Sequence, residues 1–287
     1  MTLRAGTAAI AALVALVAVP ASALAAGNAE VAALQVGLRG VGLYAGTIDG
    51  VKGPGTASAV ARFQRAHGLV PDGIAGPATR VALGRRGRPA FGSRTIGPGM
   101  SGWDVAALQF RLAWRGFPCG TFDGGYGWRT VAAVRRFQAW AGLAADGIAG
   151  PATLTALRRP IRHSPIWLIP PVRAPIGDRF GPRGNKFHPG IDYPASSGTP
   201  VRAAGRGRVI FSGWDSGGYG KLVVIEHPLG VRSMYAHLSR IDVAPGRYVV
   251  AGSSVGAVGS TGYSTGPHLH FELRLGSAAI DPLTALR

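Results

Sequence analysis

The chain has one cysteine, Cys119, among 287 residues, so no disulfide can close within it. Its domains must be held by packing, apart from any help from a bound metal. Acidic residues are also scarce: 13 Asp and Glu against 31 Lys and Arg, a net charge of +18. The excess is uneven, at +12 over Gly27–Arg173 and +5 from Ala174 onward. So basic a chain suits an anionic matrix such as a bacterial wall. No DNA-binding motif accompanies the charge, so nucleic acid is not an expected partner. No His-Glu-x-x-His helix is present, which excludes the zinc-protease arrangement built on a helical glutamate base. Beyond residue 26, no stretch is apolar enough to span a bilayer.

The start of the chain reads as a secretory signal peptide, residues 1–26. Arg4 supplies the positive end, Ala8 to Val19 the short apolar run, and Ala21-Ser-Ala-Leu-Ala-Ala26 the small residues of a cleavage site after Ala25 or Ala26. No twin-arginine pair precedes the apolar run, which favours the general secretory route. The expected location is therefore outside the cytoplasm, at the cell wall or in a periplasm, with no integral span once the leader is removed.

A long repeat follows. Val31-Ala-Ala-Leu-Gln35 returns as Val105-Ala-Ala-Leu-Gln109, Asp49-Gly50 as Asp123-Gly124, and Phe63-Gln64 as Phe137-Gln138. Asp72-Gly-Ile-Ala-Gly-Pro-Ala-Thr79 returns as Asp146 to Thr153, and the offset is 74 in every case. An ungapped repeat of that length is a duplicated domain. Cys119 stands opposite Ala45, which favours a small buried residue over a catalytic thiol. In the first copy, apolar residues at helical spacing predict helices near Glu30–Arg39, Gly55–His67 and Ala78–Leu83. Pro77 stands where a first helical turn accepts proline, and the Asp-Gly pairs read as turns that need glycine's positive φ. Both copies resemble the small helical peptidoglycan-binding domain. That resemblance implies peptidoglycan as a partner but assigns no individual binding residue.

Five of the seven histidines fall in the last third. His188 and Asp192 are separated by a turn-like Pro-Gly-Ile. His268 and His270 lie two apart in an alternating apolar run, so a strand puts both imidazoles on one face and Leu269 and Phe271 on the other. His and carboxylate grouped in this way suit a catalytic zinc, which takes three protein ligands and keeps a fourth position open. Glu272 falls on the same strand face, as a partner of the site or as an exposed charge. His227, outside these motifs, reads as structural or as part of the rim rather than as a ligand. Short β-rich runs at Arg208–Phe211, Lys221–Glu226, Val231–Tyr235 and Arg247–Val250 predict a compact antiparallel sheet.

Phe180-Gly-Pro-Arg183, His188-x-x-x-Asp192, Gly198-Thr-Pro-Val201, Tyr235-Ala-His-Leu-Ser239 and Gly262 to Glu272 together resemble the lysostaphin-type (LytM-domain) zinc metallopeptidases. The resemblance runs from about Pro175 to the end. It implies that His188, Asp192 and His270 bind one Zn2+ and that His237 and His268 are the catalytic histidines outside the ligand set. Spacing alone does not say which of His268 and His270 is the ligand, nor which of His237 and His268 is the base.

The expected architecture is multidomain α+β: two three-helix domains and then an antiparallel β-sheet metallopeptidase domain. The expected boundaries are 1–26 for the leader, 27–86 and 101–159 for the repeats, 87–100 and a stiff Pro-rich 160–174 for linkers, and 175–287 for the peptidase. Ile166-Trp-Leu-Ile169 in the second linker packs on a domain or lies over the active-site groove. The expected function is that of a monomeric, secreted zinc endopeptidase cutting peptide bonds in peptidoglycan. The alternative is a silent or latent wall-binding activator of other hydrolases, against which the complete set of five site residues speaks.

Overall fold

The computed structural model describes residues 26–287, so the leader expected over 1–26 lies, but for Ala26, outside the described residues. Among these residues no helix is long and apolar enough to cross a membrane. The first repeat forms α1 (Ala29–Gly40), α2 (Pro54–Ala66) and α3 (Pro77–Ala82), and the second forms α4 (Trp103–Trp114), α5 (Trp128–Trp140) and α6 (Pro151–Ala156). Asn28 caps α1 by accepting from the Glu30 and Val31 amides, and Pro77 and Pro151 open the short third helices.

The repeated Gln, Asp-Gly and Thr residues form one buried polar knot, made four times. Gln35 Nε2 donates to Asp49 Oδ1 (2.7 Å) and Thr56 Oγ1 (3.2 Å), while its Oε1 accepts from Gly50 N (2.9 Å). Gln64 treats Asp72, Gly73 and Thr79 in the same way, as Gln109 treats Asp123, Gly124 and Thr130, and Gln138 treats Asp146, Gly147 and Thr153. All four glutamines are buried and fully paired, which satisfies their amides and pins each loop to its helix. The glycines sit at φ of 72°, 72°, 72° and 79°, so the Asp-Gly turns are structural, as the sequence predicts. Cys119 is buried too, and burial pushes its thiol up to about 12, consistent with a packing residue.

Helices α1 and α4 pack on each other, and Trp103 Nε1 donates to Glu30 Oε2 (2.5 Å) across the joint. The apolar cluster that includes Ala32 and Val36 continues through Phe110 and Trp114 into the β domain at Phe187, Ile191 and Phe271.

That domain comprises β1 (Gly181–Arg183), β2 (Lys186–His188), β3 (Ile191–Pro194), β4 (Pro200–Arg202), β5 (Gly207–Asp215), β6 (Gly220–Glu226), β7 (Val231–Ala236), β8 (Arg240–Ile241), β9 (Tyr248–Val249), β10 (Ser254–Ala257), β11 (His268–Leu275) and β12 (Ala278–Ile280). The main sheet has the order β12-β11-β7-β6-β5-β9, and β3 also pairs with β11. A three-stranded sheet, β4-β10-β8, and the β1–β2 hairpin complete the domain, and every pairing among these strands is antiparallel. The run expected over Arg247–Val250 shrinks to the two residues of β9, which pair only with the start of β5.

The β1–β2 hairpin is held by both repeats at once. Ile48 N donates to Gly184 O (2.8 Å) and Phe122 N to Asn185 O (2.7 Å). Ile48 and Phe122 are 74 positions apart, so equivalent loops of the two copies grip adjacent carbonyls of one turn. Trp114 seals the contact against Phe180 and Phe187, with ring centroids at 6.2 and 5.3 Å. Trp114→Ala should therefore cost about 3–5 kcal/mol, as loss of a buried aromatic does. The drop is readable as a lower thermal midpoint of the whole chain, and an unchanged midpoint would mean that repeats and sheet share no core.

The Pro-rich segment differs from a free spacer. Leu168 is buried and exchanges backbone hydrogen bonds with Ala285 and Arg287, and Ile169 N donates to Ala204 O. Ile166–Ile169 is thus strapped to the β domain, and none of its residues lines the histidine cleft described below. The segment between the repeats is also anchored, with Ile96 and Ala149 exchanging both backbone hydrogen bonds.

Candidate metal centre

Strands β2, β3 and β11 bring the predicted residues together. His188 ends β2, Asp192 lies in β3, and His270 stands directly opposite Asp192 in the β3–β11 register. The turn between β2 and β3 needs Gly190, because a Cβ there would lie 2.5 Å from Phe271 O and 3.0 Å from the His270 ring. On β11, Leu269 and Phe271 are fully buried in the core while His268 and His270 face the cleft, as the alternation requires.

The three donor atoms converge. His270 Nδ1 lies 2.7 Å from Asp192 Oδ1, and His188 Nε2 lies 3.0 Å from His270 Nδ1 and 3.1 Å from Asp192 Oδ1. Tetrahedral zinc, with bonds of about 2.0–2.1 Å, spaces its donors by roughly 3.3 Å, so the three atoms stand slightly closer than an ion would hold them and would need only a small spread to take one. The tautomers also fit. His188 Nδ1 faces the Arg179 carbonyl (3.0 Å), which can only accept, so the ring's N–H is used there and Nε2 carries a lone pair. His270 Nε2 donates to Glu272 Oε1 (3.0 Å), leaving Nδ1 as the donor atom toward the site. Two imidazole nitrogens and a carboxylate oxygen turned on one point could hold a cation, and these donor types suit zinc.

Glu272 is neither solvent-exposed nor idle. It is fully buried, accepts from Tyr219 Oη (2.7 Å) and from Arg274 Nε and Nη2 (2.9 and 2.8 Å), and braces His270. Burial alone would raise its carboxyl; the Arg274 charge and the bonds from His270 and Tyr219 overcome that and hold it at about 2. Burial would likewise lower His270, but the Asp192 and Glu272 carboxylates raise it to about 9, and a cation bound at Nδ1 would take the place of the proton they favour there. Asp192 is held well below the ordinary carboxylate range by His188 and His270, against the effect of its burial. Tyr219 and Arg274 are absent from the sequence reading. The signal for Arg274 was available, since it continues the i, i+2 face of His268, His270 and Glu272; nothing local marks Tyr219, which comes from β5–β6.

His237 and His268 face the same cleft, with ring centroids 4.8 Å apart, and His237 lies 5.8 Å from His270. His268 Nδ1 donates to Gly266 O (2.8 Å) and His237 Nδ1 to Thr261 O (2.7 Å), so both keep an Nε2 lone pair. Burial lowers the pKa of His237, the Thr261 bond opposing this and the neighbouring histidines reinforcing it. Its backbone sits at φ 59°, a left-handed conformation costly for histidine and concentrated at functional positions. The cleft has a volume of about 630 Å³, with Tyr219 and the 85% exposed Tyr263 along it. His227 lies elsewhere, with both ring nitrogens engaged by Arg206 O and Ser233 Oγ, and is structural.

A three-donor centre with two further imidazoles on an open antiparallel sheet defines a metallopeptidase domain. Residues 186–282 match Peptidase family M23. Residues 27–83 and 101–157 each match the family described as "Putative peptidoglycan binding domain". The chain is 46% identical over 115 residues to the DD-carboxypeptidase/endopeptidase Mpg of Neisseria meningitidis, covering 39% of this chain and 26% of that one. It is 38% identical over 143 residues to lysostaphin of Staphylococcus simulans, covering 46% and 28% respectively. The solved catalytic domain of lysostaphin aligns with 38% of this chain and 90% of its own, at 39% identity and a TM-score of 0.37. The chain thus spans about a quarter of the length of the curated relatives it matches.

Proposed function

We propose that the chain is a secreted, zinc-dependent endopeptidase that hydrolyses peptide bonds in bacterial peptidoglycan and is held on the wall by its repeats. The observation that carries this reading is the disposition of four imidazoles. His188, His237, His268 and His270 each give one N–H to a protein acceptor and turn the other nitrogen's lone pair toward one cleft. His188, Asp192 and His270 would hold the metal. Zinc, when bound, supplies a Lewis acid that acidifies water toward neutrality and polarises a carbonyl. His237 and His268 serve the proton and the developing oxyanion: one neutral Nε2 accepts from the attacking water, and the proton passes to the leaving amine. The net charge of +18 suits an anionic wall, and tethering raises the local substrate concentration.

Mass spectrometry of peptidoglycan digested with the zinc-supplemented chain, beside His237→Ala, tests this. New peptide termini that vanish in the variant are expected and would name the bond. Intact peptidoglycan with zinc bound would move the assignment to a wall-binding activator.

A further inference from the structure

The two repeats share a sequence but not a surface. In the second copy, the furrow beside α4 and α5 is filled by the chain itself. Ile96 is fully buried there, clustered with Val105, Leu108, Val134 and Leu154, and Tyr126 closes the furrow with its hydroxyl on Gly147 O (2.7 Å). Ile96 pairs as a one-residue strand, its N–H to Ala149 O (3.2 Å) and its C=O from Ala149 N (2.8 Å).

The first copy presents the same furrow without the plug. Its walls are Val31, Leu34 and Val60, the equivalents of Val105, Leu108 and Val134, around an open cavity of about 570 Å³. Lys52 stands where Tyr126 does, and Arg80 where Leu154 does. Ala75, the equivalent of Ala149, has neither its N–H nor its C=O hydrogen-bonded among the described residues. Arg80 lies over the Trp103 ring (4.3 Å) at the furrow's edge, and Lys52 has no ion-pair partner among the described residues.

We infer that only the first repeat is a ligand-binding module, and that its furrow takes an extended, carboxylate-bearing peptide. The second copy displays the binding mode: Ile96 shows that a peptide can add to this edge by main-chain pairing while one apolar side chain enters the furrow. The exchange of Tyr126 and Leu154 for Lys52 and Arg80 turns a closed apolar lid into a cationic rim, which selects peptides with free carboxylates. The second repeat is then a structural spacer between the first repeat and the peptidase. This rests on the wall-peptide reading above and narrows it to one copy.

The test is calorimetric titration of soluble muropeptides into the full chain carrying His237→Ala, which blocks turnover. Cleft binding contributes equally to every variant. K52Y/R80L transplants the second copy's own residues, and it should weaken furrow binding about tenfold or more, the scale of one or two lost contacts. Lys52→Glu, at an exposed position, should weaken it likewise without touching the core. R65Q/R85Q removes the same charge elsewhere and should bind as before. Equal binding by all variants would overturn the inference while leaving peptidoglycan cleavage, scored separately, intact. Failure of both binding and cleavage would sink the wall-peptide reading as well.

Discussion

His237→Ala should retain zinc and lose roughly 10²–10⁴-fold in turnover, the usual contribution of a positioned acid–base group. His270→Ala should lose both metal and activity. The two outcomes separate because the two rings differ in what they touch. His270 Nδ1 lies within 3.0 Å of both Asp192 Oδ1 and His188 Nε2, so its removal leaves a two-donor site. His237 sits beside this set, its ring centroid 5.8 Å from that of His270, and contacts no donor at hydrogen-bonding distance. Metal content by elemental analysis and peptide release from sacculi read the two effects independently. A metal-free but active His270→Ala chain would overturn the ligand assignment; a metal-depleted His237→Ala chain would move His237 into the ligand set.

Glu272→Ala should damage both stability and metal affinity. The carboxylate is fully buried and holds Arg274, Tyr219 and His270 together. Removing it leaves the half-buried Arg274 guanidinium without its counter-charge, a change whose cost reaches about 3–5 kcal/mol for a fully buried pair and is smaller where one partner keeps some solvent. It also frees His270 Nε2, so the ring is no longer confined to the tautomer that offers Nδ1, and losses of about 10–100-fold in metal affinity accompany such changes. Thermal midpoint and a chelator competition for zinc measure the two. Glu272→Gln is the informative companion: it preserves shape and can still accept from His270 while losing the charge opposite Arg274. If the Gln variant keeps wild-type affinity and midpoint, Glu272 acts by shape and hydrogen bonding alone.

The residues differ in how far local pattern revealed them. Helices α1 to α6 follow from apolar spacing and proline placement, which act within a few residues. The shared face of His268 and His270 follows from strand alternation, and the Asp-Gly turns from the conformation that only glycine takes easily. The repeated glutamines and threonines were visible as repeats, but their purpose was not. A buried amide is explained only by the partners it meets, and these lie 8 to 21 residues away.

The sequence by itself determined the duplication and the antiparallel class of the last third, and its resemblance to a known family pointed to five histidine and aspartate positions that the fold gathers at one cleft. It did so because helix, strand and turn preferences are local, and because zinc chemistry admits few side chains. Tertiary structure alone decided three things. It placed Glu272 in the interior, where Tyr219 from β5–β6 and Arg274 make it a brace for His270. It set equivalent loops of both repeats against the hairpin that leads into His188. It closed one furrow of the duplicated pair with Ile96 and Tyr126 and left the other open. Each depends on which distant segments become neighbours and exclude water, and periodicity along the chain carries no record of that.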